Sequence, residues 1–377
     1  MAKTNRNGAI DVLRFVFCVI IVLRHSFHAV PEGGKVLMPG GAIGVEFFFI
    51  VSGYLMACSA YKRFYSDNKL SISTETHTFM KRKASSLLPD LVVASIISMT
   101  VVTLTYLPQG KYAMLIEVSK RIWNPLLLSA SGLGSTNELW YLSAMILVML
   151  AYYPLLMKRF EGFVRIVAPL IAIFSLGYID RKFDSILDPA YFIDPIYKGM
   201  VRAIGEIALG VALFPLIRFI AKQDLTKVAK TVITLVNVFC LLFAINLMYS
   251  RKDKKLDLFI VLLLTVVCVL TFSHQGIAAK LFDNKFSTFL GKLSLTLYLS
   301  HRWVAITINN IYNYLAEKQL YGFGKSFDYD YNTLMKYYFL GSIISCAVIY
   351  IICALLRKYS IPLKNLWKKA VLRKPAE

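Results

Sequence analysis

The segment Ile10–His28, IDVLRFVFCVIIVLRHSFH, decides the reading of this chain together with Gly40–Tyr54, GGAIGVEFFFIVSGY. The first segment is apolar and long enough to cross a bilayer, which takes about 20 residues. It nevertheless carries Asp11, Arg14, Arg24, His25 and His28. An ionisable side chain at membrane depth costs a few kcal/mol, so such groups are seldom idle. At about 100° per residue, eleven steps bring His25 to within roughly 20° of Arg14 on a helix surface, about 16 Å further along its axis. Cys18, Ile21 and His28 share that stripe. A face with a cation near one end and imidazoles near the other belongs against other helices.

Composition extends the same conclusion to the whole chain. Of 377 residues, 57% are hydrophobic and only 17% charged, against about a quarter charged in soluble domains. The net charge of +21 would suggest nucleic acid in a soluble chain. In a membrane protein it sets topology and meets anionic lipid, so no nucleic-acid partner is expected. The cysteines (Cys18, Cys58, Cys240, Cys268, Cys346, Cys353) lie in apolar stretches without CxxC or CxxH spacing. Neither a disulfide framework nor a metal site is therefore expected. The first apolar run lacks a small-residue cleavage site and reads as a retained helix.

Apolar windows predict about ten spans: 9–30, 41–61, 84–106, 139–157, 164–180, 199–220, 229–249, 257–273, 287–314 and 336–357. The expected fold is an all-α, polytopic membrane helix bundle forming a single domain over 1–377. A basic cytoplasmic tail at 358–377 follows, with no fused soluble domain. Lysine and arginine favour the loops that would be inside if both termini are cytoplasmic. The run RKDKK at 251–255 is the exception, while Asp180, Asp184, Asp188 and Asp194 gather in one outside loop. In this topology Arg14 lies near the cytoplasmic face, and His25 and Glu46 near the outer one. A carboxylate beside an imidazole orients it and raises its basicity, which suits a general base.

Each motif also has a plainer explanation. Arg14 would pair structurally with Asp11 or Asp90. Gly44 and Gly53 would make GVEFFFIVSGY a close-packing helix. The basic run FMKRKASSLLP, Phe79 to Pro89, leads into the third span and reads equally as a topology signal or as a phosphate-binding surface. In GKLSLTLYLSHRWVAITINN, His301 and Arg302 sit roughly mid-membrane and read as pocket residues. In NELWYLSAMILVML, Glu138 and Trp140 fit an interfacial aromatic belt.

Taken in order, these residues resemble the acyltransferase-3 family of integral-membrane O-acyltransferases that modify surface glycans. The resemblance lies in Arg14 and His25 of the first span, GVEFFFIVSGY in the second, the basic run ending in Leu-Pro, LWYL before the fourth span, and SLTLYLSH in a late one. It runs from end to end of the chain. It implies an enzyme (acyltransferase, EC 2.3.1.-) in the inner or plasma membrane. The enzyme would move an acyl group, acetyl foremost, from cytoplasmic acyl-CoA to a hydroxyl of a cell-surface or lipid-linked polysaccharide. Acyl-CoA would be the co-substrate, with no metal. The partners would be a carbohydrate acceptor, the lipid bilayer and glycan-assembly proteins. The implied catalytic residues are His25, Glu46 and Arg14. The implied pocket is His301, Arg302 and His28, and the CoA contacts are Arg14, Arg82 and Lys83. Glu46 stands where the family more often has aspartate. The family's Arg-Arg-x-x-Arg pattern reads Arg82, Lys83 and Ser86 here, one cation short. The residues themselves leave open whether His25 is a base or an acyl carrier. A bundle with buried charges also fits a transporter of a sugar or lipid-linked intermediate, although no inverted repeat is evident.

Overall fold

The structure, a computed structural model, describes residues 7–30, 35–68, 70–127, 129, 139–187, 192–193, 196–251, 253–277, 279–320 and 331–371. Glu138, Asp188, Asp194 and the last residues of the basic tail lie outside these.

The chain forms an all-α membrane bundle. In order, the helices are α1 (Gly8–His25), α2 (Gly44–Phe64), α3 (Ile72–Thr105), the short α4 (Lys111–Arg121) and α5 (Leu139–Lys158). They continue with α6 (Phe160–Phe183), α7 (Lys198–Ala221, interrupted at Leu213), α8 (Lys227–Ser250) and α9 (Asp257–Ser273). The last two are α10 (Lys285–Leu320) and α11 (Tyr331–Val371). A two-residue antiparallel pair, Phe192–Ile193 with Ile196–Tyr197, precedes α7. Every expected window falls on a helix. Among the described residues, 8 helices are long and apolar enough to cross a membrane. The two windows outside that set fall on α1 and α10, which carry the polar residues singled out from sequence.

Those two helices pack on one another. Gly291 of α10 leaves room for the Asp11 carboxyl, which a Cβ there would strike. Cys18 Sγ donates to the Ser294 carbonyl at 3.1 Å, and His25 faces His301. The contacts advance in the same direction along both helices, so α1 and α10 run parallel. Seven apolar helices lie between them in sequence, and an odd number of crossings in between returns the chain to that direction.

Small residues set the second close contact. A Cβ on Gly53 would run into the Ile207 carbonyl, and one on Gly210 into that of Ile50. α2 and α7 thus touch backbone to backbone, as expected for Gly53 in a packing helix. Gly44, by contrast, has only ordinary contacts with Phe17 and Ile21.

Two features depart from expectation. α3 begins at Ile72, capped by Ser71 whose Oγ accepts from the Thr74 amide at 3.2 Å, so the basic run is helical and Pro89 lies inside the helix. The cap, together with an ion pair between Glu75 and Arg63 at the end of α2, starts this helix well before its apolar part. The 251–255 run also begins with an engaged cation. Arg251 donates to both Asp257 oxygens at 2.8 and 3.0 Å and to Ser185 Oγ at 3.1 Å.

Candidate active site

The α1–α10 seam carries the groups of interest. On α1, Arg14 lies towards the start and His25 at the end. A 3-10 turn, Ser26–Ala29, then folds His28 back so that its ring stacks on His25 with centroids 5.6 Å apart. Phe27 lies 3.7 Å from His28, and the Arg24 guanidinium sits 4.6 Å above Phe27. From α10, His301 brings its ring to 5.2 Å from that of His25. Arg302 and Arg24 are close enough to His25 for direct charge interaction. His25 and His28 lie in one stretch of sequence and His301 and Arg302 in another, and the fold assembles the four into one cluster.

His301 is fully buried. Its Nδ1 lies 2.7 Å from the Tyr298 carbonyl, and a carbonyl only accepts, so Nδ1 carries the proton. Nε2 of the neutral ring is then a bare acceptor, and it is buried without a partner among the described residues. His25 Nδ1 is likewise buried and unbonded. Two ring nitrogens without partners on adjacent imidazoles suit a group that must take up and release a proton.

Arg14 opens on a cavity between α1, α2, α3, α5 and α10. Lys83, Ser52, Tyr141, Met145 and Tyr298 also line it. Arg14 keeps 34% of its side-chain surface exposed and lies 3.9 Å from Asp11, a loose pair. Asp90, the other expected partner, is bonded to Arg357 of α11 instead. Ser52 Oγ donates to Met145 Sδ at 3.3 Å. Tyr298 closes the far wall. Its ring lies 5.7 Å from Tyr141 and 5.6 Å from His301. A continuous series therefore runs from Arg14 and Lys83, through the cavity, to Tyr298, His301 and His25.

Two expected members are elsewhere. Arg82 is exposed and does not line the cavity with Lys83. Successive residues of a helix point about 100° apart, and Arg82 lies near Glu75 and Tyr153 instead. Ser86 is exposed too, its Oγ donating to the Lys83 carbonyl at 2.7 Å.

Glu46 is the larger correction. It does not orient His25: the carboxylate is fully buried and ion-paired with Arg202 of α7. Glu206, one turn further on, has its carboxyl 4.0 Å from Arg202 Nε, and the Arg202 guanidinium lies 5.1 Å from the Trp140 ring. A buried carboxylate gains more from a fixed cation than from a neutral imidazole, and α7 supplies one. Trp140, expected in an interfacial belt, is consequently buried against Arg202 and Phe49. The missed residues, Arg202 and Glu206, did carry a signal: two opposite charges at i, i+4 inside an apolar span. Among the described residues, no group of three or more His, Cys, Asp or Glu could hold a metal.

A family model described as an acyltransferase domain, acyltransferase-3, matches residues 7–358. Proteins named "Putative O-acetyltransferase" from Staphylococcus aureus strains COL, MSSA476 and MRSA252 are each 25% identical over 340 residues. The match covers 82% of this chain and 52% of each relative, so the chain spans about half the length of the curated relatives it matches. No solved structure matches. The apolar helices make it a multi-pass membrane protein, and the family match runs over nearly the whole chain. The chain belongs to the acyltransferase-3 family.

Proposed function

We propose that this acyltransferase moves an acyl group, acetyl foremost, from cytoplasmic acyl-CoA to a hydroxyl of a cell-surface or lipid-linked polysaccharide, in the cell membrane with both termini inside. The observation that carries the reading is a cavity lined by two cations, Arg14 and Lys83, and by Tyr298, behind which the His301 and His25 rings follow in contact. Phosphate groups favour such cations. Arg14 and Lys83 bind the phosphates in this reading. His25 takes the proton of the acceptor hydroxyl as its oxygen attacks the thioester carbonyl. The C–S bond breaks, the ester forms, and the sulfur leaves as CoA thiol with the proton. His301 stands where an orienting carboxylate had been expected, its tautomer fixed by the Tyr298 carbonyl.

The test is release of free CoA thiol from acetyl-CoA in membranes containing the protein, alongside mass spectrometry of surface glycan. Wild-type membranes should release thiol and His25→Ala membranes should not, at equal protein abundance. Absence of thiol release from wild-type membranes supplied with cell-surface glycan would remove the reading in favour of transport.

A further inference from the structure

We infer that Arg302 holds an anionic group of the acceptor, a carboxylate or phosphate oxygen, beside the His25 imidazole. The inference rests on the acyl-transfer reading and adds the chemical class of the acceptor.

Arg302 follows His301 on α10 and is half-buried, with Nη1 buried and unbonded among the described residues. The carboxylates that pair within the bundle are engaged elsewhere. Glu46 is with Arg202, Asp90 with Arg357, Asp257 with Arg251, and Glu75 with Arg63. Among the described residues, Arg302 interacts with the Tyr338 phenol of α11, Arg24 and the His25 imidazole. A guanidinium stays charged at any working pH. Holding it at membrane depth with no carboxylate partner among the described residues is costly. A neutral sugar hydroxyl offers no charge to offset that cost, whereas an oxyanion does so with two parallel hydrogen bonds. His25 and His301 lie alongside, so an acceptor anchored at Arg302 presents a nearby hydroxyl to the histidines. An acidic sugar and a sugar phosphate share the required chemistry.

The experiment compares glucuronic acid, glucose 1-phosphate and glucose as acceptors for acetyl-CoA-dependent thiol release in membranes. The two anionic sugars should show the lower KM, and whichever is lower identifies the oxyanion. Arg302→Gln should raise the KM of the anionic acceptors at least about tenfold. The KM for glucose and for acetyl-CoA should stay unchanged, and Arg302→Lys should retain part of the preference. Equal KM values for glucose and the anionic sugars would overturn the proposal. So would an equal loss of kcat with all three acceptors in Arg302→Gln, because that marks stabilisation of the reacting carbonyl instead.

A second measurement is independent of acyl transfer. In an Arg14→Gln/Lys83→Gln background, which removes the donor phosphate site, inorganic phosphate or glucuronate should still raise the melting temperature of the detergent-purified protein, and adding Arg302→Gln should abolish the rise. That result supports the anion site even if no acceptor yields thiol and the transfer reading fails. An equal rise after adding Arg302→Gln, or none in the Arg14→Gln/Lys83→Gln background, overturns it.

Discussion

His25 and His301 come from the first and the tenth helices, yet their rings lie 5.2 Å apart with 40° between their planes. Each has a buried ring nitrogen without a partner among the described residues. Two imidazoles joined by one N–H···N bond of about 3 Å have centroids about 5 Å apart, so a small ring rotation links them. In such a pair the second histidine does what a carboxylate does in other bases, but without adding a negative charge.

This arrangement ranks the two histidines. His25→Ala should lower acyl transfer by about 10²–10⁴-fold, the usual contribution of a general base. His301→Ala should lower kcat less, and it should move the pH profile of kcat while leaving the KM for acyl-CoA unchanged. Thiol release against pH, at equal protein abundance, measures both. An unmoved pH profile in His301→Ala would separate His301 from the proton transfer.

Arg14 and Lys83 should act on the donor alone. Arg14→Lys is expected to keep partial function with a raised KM for acyl-CoA, because a point cation attracts phosphate but loses the bidentate fork. Arg14→Ala and Lys83→Ala should be worse on the same axis, and Arg82→Ala milder, since Arg82 faces away from the cavity. Steady-state kinetics with varied acyl-CoA tests the set, and an unchanged KM in both Arg14 variants would end the phosphate role.

Glu46 and Arg202 should behave as a structural pair. Removing one partner from a buried ion pair typically costs 3–5 kcal/mol. Glu46→Ala and Arg202→Ala should therefore lower the yield of folded protein and the melting temperature, with activity per folded molecule changed far less. The double variant Glu46→Leu/Arg202→Met should recover part of the stability. Thermal melts in detergent, scored beside specific activity, separate this from a catalytic role for Glu46.

Gly53 and Gly210 should be among the least tolerant apolar positions. A Cβ at either meets the backbone of the facing helix, so Gly53→Ala should cost about 1–3 kcal/mol through overpacking. Gly44→Ala should cost less, because its neighbours sit at ordinary contact distance. The same melts compare them.

Topology is checked at the 62–83 connection. A cysteine placed at Asn68, in a background lacking the native cysteines, should resist membrane-impermeant thiol reagents in intact cells. Ready labelling there would reverse the orientation and put Arg14 and Lys83 outside.

Hydropathy is a local property, and it was enough to identify each spanning helix, though not the short α4, and to mark α1 and α10 as the ones carrying polar residues. Helical periodicity placed Arg14 and His25 on one face, and that face does pack against α10. Neither property carries information about which helices meet. The partner of Glu46 depended on α7 lying against α2, which two glycines far apart in sequence permit through backbone contact. Arg202 therefore took the carboxylate that sequence reasoning had assigned to His25, and Trp140 went inside with it. Arg82 and Lys83 were indistinguishable as cations in a row. Once α3 proved helical from Ile72, the rotation of about 100° per residue sent one to the cavity and the other to the surface. The sequence by itself determined a membrane bundle, its helices and the chemically expensive side chains. Only tertiary packing decided which of those side chains neutralise one another and which remain available to a substrate, because charge pairing across helices depends on distances that no local pattern encodes.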